Sequence, residues 1–402
     1  MADRRRTPGS QTSLREANRA RIVDAVKKHG GLTQVELAGA TGLSPATVSN
    51  IVKELAGSGV LNTSPSTRSG RRAMHVTLAH KLGLVAGVHF SPRHMRVALS
   101  DVAGTIVAES HMPLAKDHRA DNELDRVMLL LDDMLESAGA SMIDLLAVGV
   151  AIPAPFDQRT GTIARRGVLR GWDGVEVADV VQRRLHRPVF VDNSANLTAL
   201  AELRQGAARG RDDVVVLDVG DGIGAGLITG GQLIYGHSGL AGEFGHTVIR
   251  EDGPVCRCGN RGCLETIAGS SAILDSLATG RGINKLGDVI VAAMAGDSAS
   301  IRAIGDAGRA IGLAAANLCN LLDPERVVVS GELSRAGELL LGPLRHTVED
   351  SVIAGRDAWP DIVQGQLGLR AATMGAVICA VDRLPLHPEL DSEVNISATE
   401  LL

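Results

Sequence analysis

The chain has 402 residues, 45% of them hydrophobic and 22% charged, which is enough to bury the cores of two or three domains. No apolar run approaches the ~20 residues needed to span a bilayer, and Met1–Arg6 lack the apolar core of a signal peptide. Five cysteines, an odd number, argue against a disulfide framework. These features exclude a membrane-spanning or disulfide-stapled secreted protein and predict a soluble cytoplasmic one.

The net charge of −5 hides a strong asymmetry along the chain. Residues 1–81 contain 13 Lys and Arg against 5 Asp and Glu, a net charge of +8, so the remainder carries −13. A basic segment of this kind is typical of a nucleic-acid-binding module attached to an acidic body.

The basic segment has the element order of a winged helix-turn-helix. Residues 14–28 place apolar side chains at helical spacing. A second helix opens at the capping box Thr33–Glu36 and breaks at Gly42. A third helix opens with Ser44 as its cap and Pro45 at its first position. We therefore predict a DNA-binding domain over residues 1–78, the alternative being a helical domain whose charges serve only solubility.

The polar face of the third helix is predicted to reach base edges in the major groove of double-stranded operator DNA. The residues of this face are Ser44, Pro45, Ala46, Thr47, Ser49, Asn50 and Lys53. Residues 59–61 and 74–78 are predicted to pair as a hairpin, the wing. Three arginines near its tip are suited to phosphates and to the minor groove. They are Arg68, Arg71 and Arg72.

From residue 80 onward, short apolar runs alternate with amphipathic segments. Residues 84–90 and 95–100 are predicted to form adjacent strands, followed by a helix over 121–138. Residues 147–152 form a continuous apolar run, as expected of a strand buried on both faces. The pattern predicts an α/β body whose ligand site lies at the carboxyl ends of its strands.

Residues 243–265 concentrate metal-binding side chains in a short glycine-rich stretch. Cys256 and Cys258 are separated by one residue, Cys263 follows five residues later, and His246 precedes Cys256 by ten. Three thiolates and an imidazole complete a tetrahedral Zn²⁺ shell, so we predict one structural zinc per chain. The alternative is a set of reduced cysteines without metal. A redox pair is disfavoured because the spacing is not Cys-x-x-Cys.

Gly242–His246 followed by Cys256–Glu265 resembles the signature of the ROK family, whose members are bacterial sugar kinases and sugar-responsive repressors. The resemblance implies a two-lobed actin-like, ribonuclease-H-like body. The first lobe would span residues 80–198, with a helix at about 372–388 packing back on it, and the second would span 199–371 and carry the zinc loop. The positions that hold sugar hydroxyls in the family are Asn193, Glu243, His246 and Glu265 here.

Three stretches depart from the pattern of the family's kinases. Residues 89–93 lack the carboxylate of the first phosphate loop, and Asp221 stands where the second phosphate loop has threonine. Ser194 stands where the kinases have the aspartate that deprotonates the sugar, and a serine hydroxyl does not accept that proton near neutral pH. Asp192 is the alternative base. Together the departures predict a protein that is not an enzyme.

We therefore predict a sugar-responsive, DNA-binding repressor of carbohydrate genes. Its partners would be operator DNA, an aldose such as a pentose or hexose, and further copies of the chain in a homodimer or homotetramer. The alternatives are an active ATP-dependent sugar kinase with a DNA-binding head, and a regulator controlled by a protein partner.

Overall fold

A computed structural model describes residues 11–68, 71–115, 119–169, 171–277, 282–353 and 359–386. The chain divides into two compact units. The first unit takes in the described residues of Met1–Val85, Ser100–Ile106 and Val381–Leu402, and the second takes in those of Ala86–Leu99 and Val107–Ala380. Among the described residues, no helix has the length and apolar character needed to cross a membrane.

The first unit contains the winged helix-turn-helix. The predicted capping box is confirmed, because Glu36 N donates to Thr33 Oγ1 at 3.3 Å and Thr33 N donates to the Glu36 carboxylate at 2.8 Å. Ser44 caps the third helix by accepting from Thr47 N at 3.2 Å. The elements are α1 (Gln11–His29), β1 (Leu32–Thr33), α2 (Gln34–Thr41), α3 (Pro45–Gly57), β2 (Leu61–Arg68) and β3 (Arg71–Leu78).

The core of this unit is formed by the apolar stripe of α3 against the other two helices. Val48, Ile51, Val52 and Leu55 are buried, as their helical spacing predicts. The wing strands β2 and β3 pair antiparallel along their whole length, and β1 adds a short third strand beside β3 that the sequence did not indicate. Arg68, Arg71 and Arg72 lie at the tip ends of the wing strands, and their side chains fall outside the described part of the chain.

The body is built on two five-stranded sheets, in strand orders β10-β7-β4-β5-β6 and β13-β12-β11-β14-β15. The elements up to residue 205 are β4 (Leu84–Phe90), β5 (His94–Asp101), β6 (Ile106–Pro113), α4 (Ala120–Ser137), β7 (Leu145–Ile152), β8 (Phe156–Asp157), β9 (Thr162–Ile163), α5 (Val177–Leu185), β10 (Val189–Asn193) and α6 (Ser194–Gln205). Those that follow are β11 (Val214–Val219), β12 (Ile223–Thr229), β13 (Gln232–Leu233), α7 (Glu265–Ala268), α8 (Ser270–Asp275), α9 (Leu286–Met294), α10 (Ser298–Leu322), β14 (Arg326–Ser330), α11 (Glu338–Ser351), β15 (Asp361–Gln364) and α12 (Ala371–Arg383).

Each sheet contains parallel pairs, and in the second sheet β12 pairs antiparallel with β11 and β13. β10 runs parallel to β7, and β11 runs parallel to β14, which in turn runs parallel to β15. Val327 and Val329 of β14 pack into the core of the second sheet with α9, α10 and α11. Continuous apolar strands of this kind are buried on both faces, which explains why β7 was recognisable from sequence.

The last described helix, α12, packs on the first sheet. Ala376 lies against Ala151 and Leu197 in one buried cluster. The approach reaches the backbone, because a Cβ on Gly149 of β7 would lie 1.9 Å from Ala376 O. Residues 387 and 388, which the sequence analysis assigned to this helix, lie outside the described residues.

Candidate functional site

A cavity of about 120 Å³ in the second unit lies at the carboxyl ends of strands from both five-stranded sheets, where ligands bind in α/β folds. All four residues predicted to bind sugar line it, although they come from three separate segments of the chain. They are Asn193 at the end of β10, Glu243 and His246 in the loop after β13, and Glu265 at the start of α7.

Asn193 both caps a helix and faces the cavity. Its Oδ1 accepts from Ala195 N at 2.8 Å, at the start of α6, and its Nδ2 donates to Ala154 O at 3.1 Å and to Glu243 Oε1 at 3.4 Å. Burial, together with the nearby carboxylate of Glu265, raises the pKa of Glu243 to about 7. Near neutral pH Glu243 can therefore donate as well as accept hydrogen bonds, which suits a hydroxyl ligand.

The histidine and the three cysteines of residues 243–265 converge on one point. His246 Nδ1 lies 3.5 Å from Cys256 Sγ, and Cys258 Sγ lies 3.7 Å from Cys263 Sγ. All four ligand atoms lie within 4.8 Å of one another. A tetrahedron with Zn–S of about 2.3 Å and Zn–N of about 2.0–2.1 Å has edges of roughly 3.5–3.8 Å. The donor set therefore fits a zinc-sized ion.

The electrostatics of the cysteine loop also favour a cation. Burial and the neighbouring thiols raise the pKa of Cys263 to about 12, because thiolates packed this closely repel one another. A divalent ion would reverse that cost and hold the thiols deprotonated. The other ring nitrogen of His246, Nε2, lies 4.0 Å from Glu243 Oε2, so the same imidazole borders both the metal position and the cavity.

Glycine makes the turns of the cysteine loop possible. Gly262 has a φ of 69°, in the left-handed region that glycine adopts without steric cost. A Cβ at this position would lie 1.4 Å from Arg250 O, so no other residue fits without displacing the backbone. Next to this close approach, Cys263 forms an isolated antiparallel β-bridge with Val248.

Arg257, between two of the cysteines, is a cavity residue that the sequence analysis did not select. Its Nε lies 2.8 Å from Glu265 Oε1, its Nη2 donates to Glu265 Oε2 at 3.0 Å, and its Nη1 donates to Val168 O at 3.1 Å. Glu265 Oε2 also accepts from Ile223 N at 3.2 Å. The only sequence signal was the position of Arg257 inside the cysteine motif, eight residues before Glu265.

The two turns expected from the resemblance to correspond to the phosphate loops of the kinases contact each other across the cavity. Arg93, in the turn between β4 and β5, places Nε 3.4 Å from Asp221 Oδ1, in the turn between β11 and β12. Ser194 lines the cavity. Asp192 is 1% exposed, its Oδ1 accepts from Asn193 N and Asn196 Nδ2, and it is not among the residues that line the cavity.

Trp172 is a core residue and is not among the residues that line the cavity. It is fully buried and packs edge-on against Phe90, with ring centroids 4.8 Å apart. Its indole contributes to the stability of the first sheet rather than to the cavity lining.

In the first unit, α3 presents its polar side chains to solvent. Pro45, Ala46, Ser49, Asn50 and Lys53 are exposed, and Thr47 is half-buried. The Ser44 hydroxyl caps the helix and lies 2.8 Å from Thr47 Oγ1, so it already has local partners. The remaining face has the composition that base-edge contacts require.

Comparison with known proteins agrees with both parts of this architecture. Residues 15–62 match the family described as winged helix-turn-helix DNA-binding. The xylose repressor of Caldicellulosiruptor bescii is 27% identical over 397 residues, which cover 95% of this chain and 99% of that protein.

Two solved structures extend the comparison. A ROK family transcriptional regulator, a homologue of the Escherichia coli MLC protein, shares the fold with a TM-score of 0.75 at 22% identity, covering 92% of this chain and 96% of that one. A ROK family glucokinase from Streptomyces griseus, in complex with glucose and AMPPNP, has a TM-score of 0.67 at 29% identity and covers 74% of this chain and 99% of that one. Residues 85–383 match the ROK family itself, and the chain therefore belongs to the ROK family.

Proposed function

We propose that the chain is a sugar-responsive transcriptional repressor. The observation that carries the proposal is the convergence of Asn193, Glu243, His246 and Glu265 on one cavity in a chain that also has a winged helix-turn-helix. Paired carboxylates, an amide and an imidazole match the donors and acceptors of a polyhydroxylated ligand. The similarity to a protein named xylose repressor supports an aldose as the effector.

Phosphoryl transfer is lost in this proposal. Ser194 occupies the position of the general base and does not accept a proton near neutral pH, while buried Asp192 is not among the residues that line the cavity. The pairing of Arg93 with Asp221 puts a carboxylate where the phosphates of a nucleotide would lie, and like charges repel. The sugar half of the cavity is retained and the phosphate half is altered.

Zinc is the metal that best fits the cluster of His246, Cys256, Cys258 and Cys263. Its four protein ligands leave no open position, so the ion would be structural and would hold the loop that carries Glu243 and Glu265. As a closed site it supplies no Lewis-acid chemistry to the cavity.

DNA binding would use α3 in the major groove and the arginines of the wing on the backbone and minor groove. A homodimer or homotetramer would place pairs of heads on a palindromic operator. The sugar would change operator affinity only as far as it binds the two arrangements of the protein with different affinity.

A thermal-shift panel tests the proposal. The purified protein is mixed with D-xylose, D-glucose, N-acetylglucosamine and their phosphates, with and without AMPPNP and magnesium. We expect one sugar to raise the melting temperature, because at 100 times its Kd a ligand stabilises the native state by about 2.7 kcal/mol. Nucleotide should add nothing.

Matched variants identify the site. Glu243→Gln should abolish the sugar-induced shift, whereas Glu251→Gln, at an exposed position nearby, should retain it. A shift with AMPPNP alone would instead favour an active kinase. Operator binding that is unchanged by every sugar would favour control by a protein partner.

A further inference from the structure

Arg257 is part of both the cysteine loop and the cavity lining. Its backbone lies between Cys256 and Cys258, two of the four ligand residues of the metal cluster, and its side chain lines the cavity. Another arginine of this loop, Arg261, donates within the loop to Gly253 O at 3.0 Å. The two arginines therefore differ in what they connect, although they are four residues apart.

The guanidinium of Arg257 holds Glu265 by both carboxylate oxygens, at 2.8 and 3.0 Å. A two-point contact of this kind fixes the plane of the carboxylate as well as its position. Its third nitrogen reaches Val168 O at 3.1 Å, in the segment between β9 and α5. One side chain thus ties the cysteine loop, the first residue of α7 and a segment associated with the first sheet.

This contact determines what Glu265 can offer a ligand. A carboxylate has about four acceptor positions, and Glu265 uses three of them on Arg257 and Ile223. About one acceptor remains for a sugar hydroxyl, in a direction that Arg257 sets. Without the guanidinium, Glu265 would lose this ion pair and still face the carboxylate of Glu243, and at 13% exposure its side chain is poorly screened by water.

We propose that Arg257 is a positioning residue that couples the metal site to the sugar cleft through Glu265. A loop ordered by the metal holds Arg257 in place, Arg257 holds Glu265, and Glu265 binds the ligand. Such coupling is reciprocal, so a ligand on Glu265 also strengthens retention of the metal. The assignment of the ligand as a sugar rests on the proposed function, whereas the link between the metal and Glu265 does not.

Metal release measures the link without any sugar. The zinc-loaded protein is challenged with a chromogenic chelator, and release rates are compared for Arg257→Ala, Glu265→Gln and the double variant. We expect each single change to accelerate release about tenfold and the double variant to be no faster than either single one, since coupling energies between linked sites typically correspond to 5–150-fold. Arg261→Ala combined with Glu265→Gln should instead multiply the two single effects.

Sugar affinity supplies the second readout, with the sugars of the panel above as probes. Arg257→Ala and Arg257→Lys should both weaken sugar binding about tenfold, because lysine keeps the charge but not the two-point contact. Arg261→Ala should leave affinity unchanged. In the unaltered protein, chelator competition at equilibrium should show that the sugar that binds raises zinc affinity by the same factor by which zinc strengthens sugar binding.

The outcomes separate this inference from the proposed function. If Arg257→Ala and Glu265→Gln multiply their effects on zinc release, the coupling is wrong even when sugars bind. If the effects of Arg257→Ala and Glu265→Gln on zinc release remain coupled while no sugar of the panel binds, the link between metal and Glu265 stands and the sugar assignment fails. Circular dichroism on each variant, with Arg257→Lys as the conservative one, distinguishes loss of coupling from loss of folding.

Discussion

At the residue scale, Arg93 and Asp221 carry opposite charges on two turns that are far apart in the sequence. Each lies in a turn that we propose corresponds to a phosphate loop of the ROK kinases, and together they form an ion pair at 3.4 Å. Burial raises the pKa of Asp221, while Arg93 opposes that shift. The pair is partly buried, so removing one partner leaves the other charge unpaired and poorly solvated.

The first prediction concerns this pair. Asp221→Thr should bind AMPPNP with magnesium at least tenfold more tightly than the unaltered protein, because it removes a negative charge from the phosphate position and leaves Arg93 available. Isothermal titration checks it, with the exposed Asp252→Thr as the control. Equal nucleotide affinity in the unaltered protein and the variant would show that Asp221 does not exclude phosphate.

Asp218 gives the second prediction. Burial raises the pKa of Asp218 to about 6, against an opposing hydrogen bond from Thr198. A folded-state pKa above the ordinary value means that the native protein binds the proton more tightly, so this stabilisation is present below about pH 4 and is lost as pH rises through about 6.

Asp218→Asn keeps the shape and the acceptor but never ionises. We expect it to raise the free energy of unfolding at pH 8 by on the order of 1 kcal/mol, a figure reduced for the partial exposure of this side chain, and to change it little at pH 5. Urea unfolding at the two pH values measures the difference. An equal gain at both would assign the effect to packing rather than to ionisation.

At the element scale, α3 separates residues that build the helix from residues that face outward. Ser44 caps the helix, the apolar residues from Val48 to Leu55 form its buried face, and Asn50 lies on its exposed face. Because the cap and the buried stripe are distinct from the exposed face that we propose contacts DNA, substitutions can test stability and DNA binding separately.

The third prediction contrasts two positions on this helix. Ser44→Ala should lower the stability of the first unit by about 1 kcal/mol through loss of the cap. Asn50→Ala should leave stability unchanged but weaken specific operator binding by about 1–3 kcal/mol while preserving non-specific binding. Thermal unfolding and fluorescence anisotropy measure the two effects. Equal loss of specific and non-specific affinity in Asn50→Ala would assign Asn50 to the phosphate backbone.

At the scale of the whole molecule, the chain divides into two compact units. The first is basic in its N-terminal segment, and the second contains the cavity and the metal cluster. The winged helix-turn-helix and the candidate sugar cavity thus lie in different units of one chain.

The fourth prediction concerns assembly on DNA. Sequences selected from random duplexes by the full chain should contain an inverted repeat with half-site centres about 10–10.5 base pairs or a multiple apart. Sedimentation should show a dimer or tetramer. Adding about half a helical turn between the half-sites should abolish binding, and adding a full turn should weaken it less. Selection of a single unrepeated site would contradict the symmetric assembly.

Much of the head and of the metal cluster was predictable because their signals are local. The capping box at Thr33, the cap at Ser44 and the buried stripe of α3 each depend on residues within a few positions. The cysteine cluster is likewise confined to residues 246–263, so its chelating geometry follows from spacing and glycine turns. Three of the four expected sugar positions, Glu243, His246 and Glu265, were identified through the same motif.

The contacts of Arg257, Arg93 and Trp172 could be decided only by the tertiary structure. Arg257 reaches Val168 across 89 positions of the chain, and Arg93 meets Asp221 only because two separate sheets bring their turns to one cavity. Sequence periodicity does not predict such long-range contacts, since they depend on how layers of secondary structure pack rather than on local propensity. The sequence by itself therefore determined which chemical groups the protein has, and the packing of the sheets decided which of them act on one another.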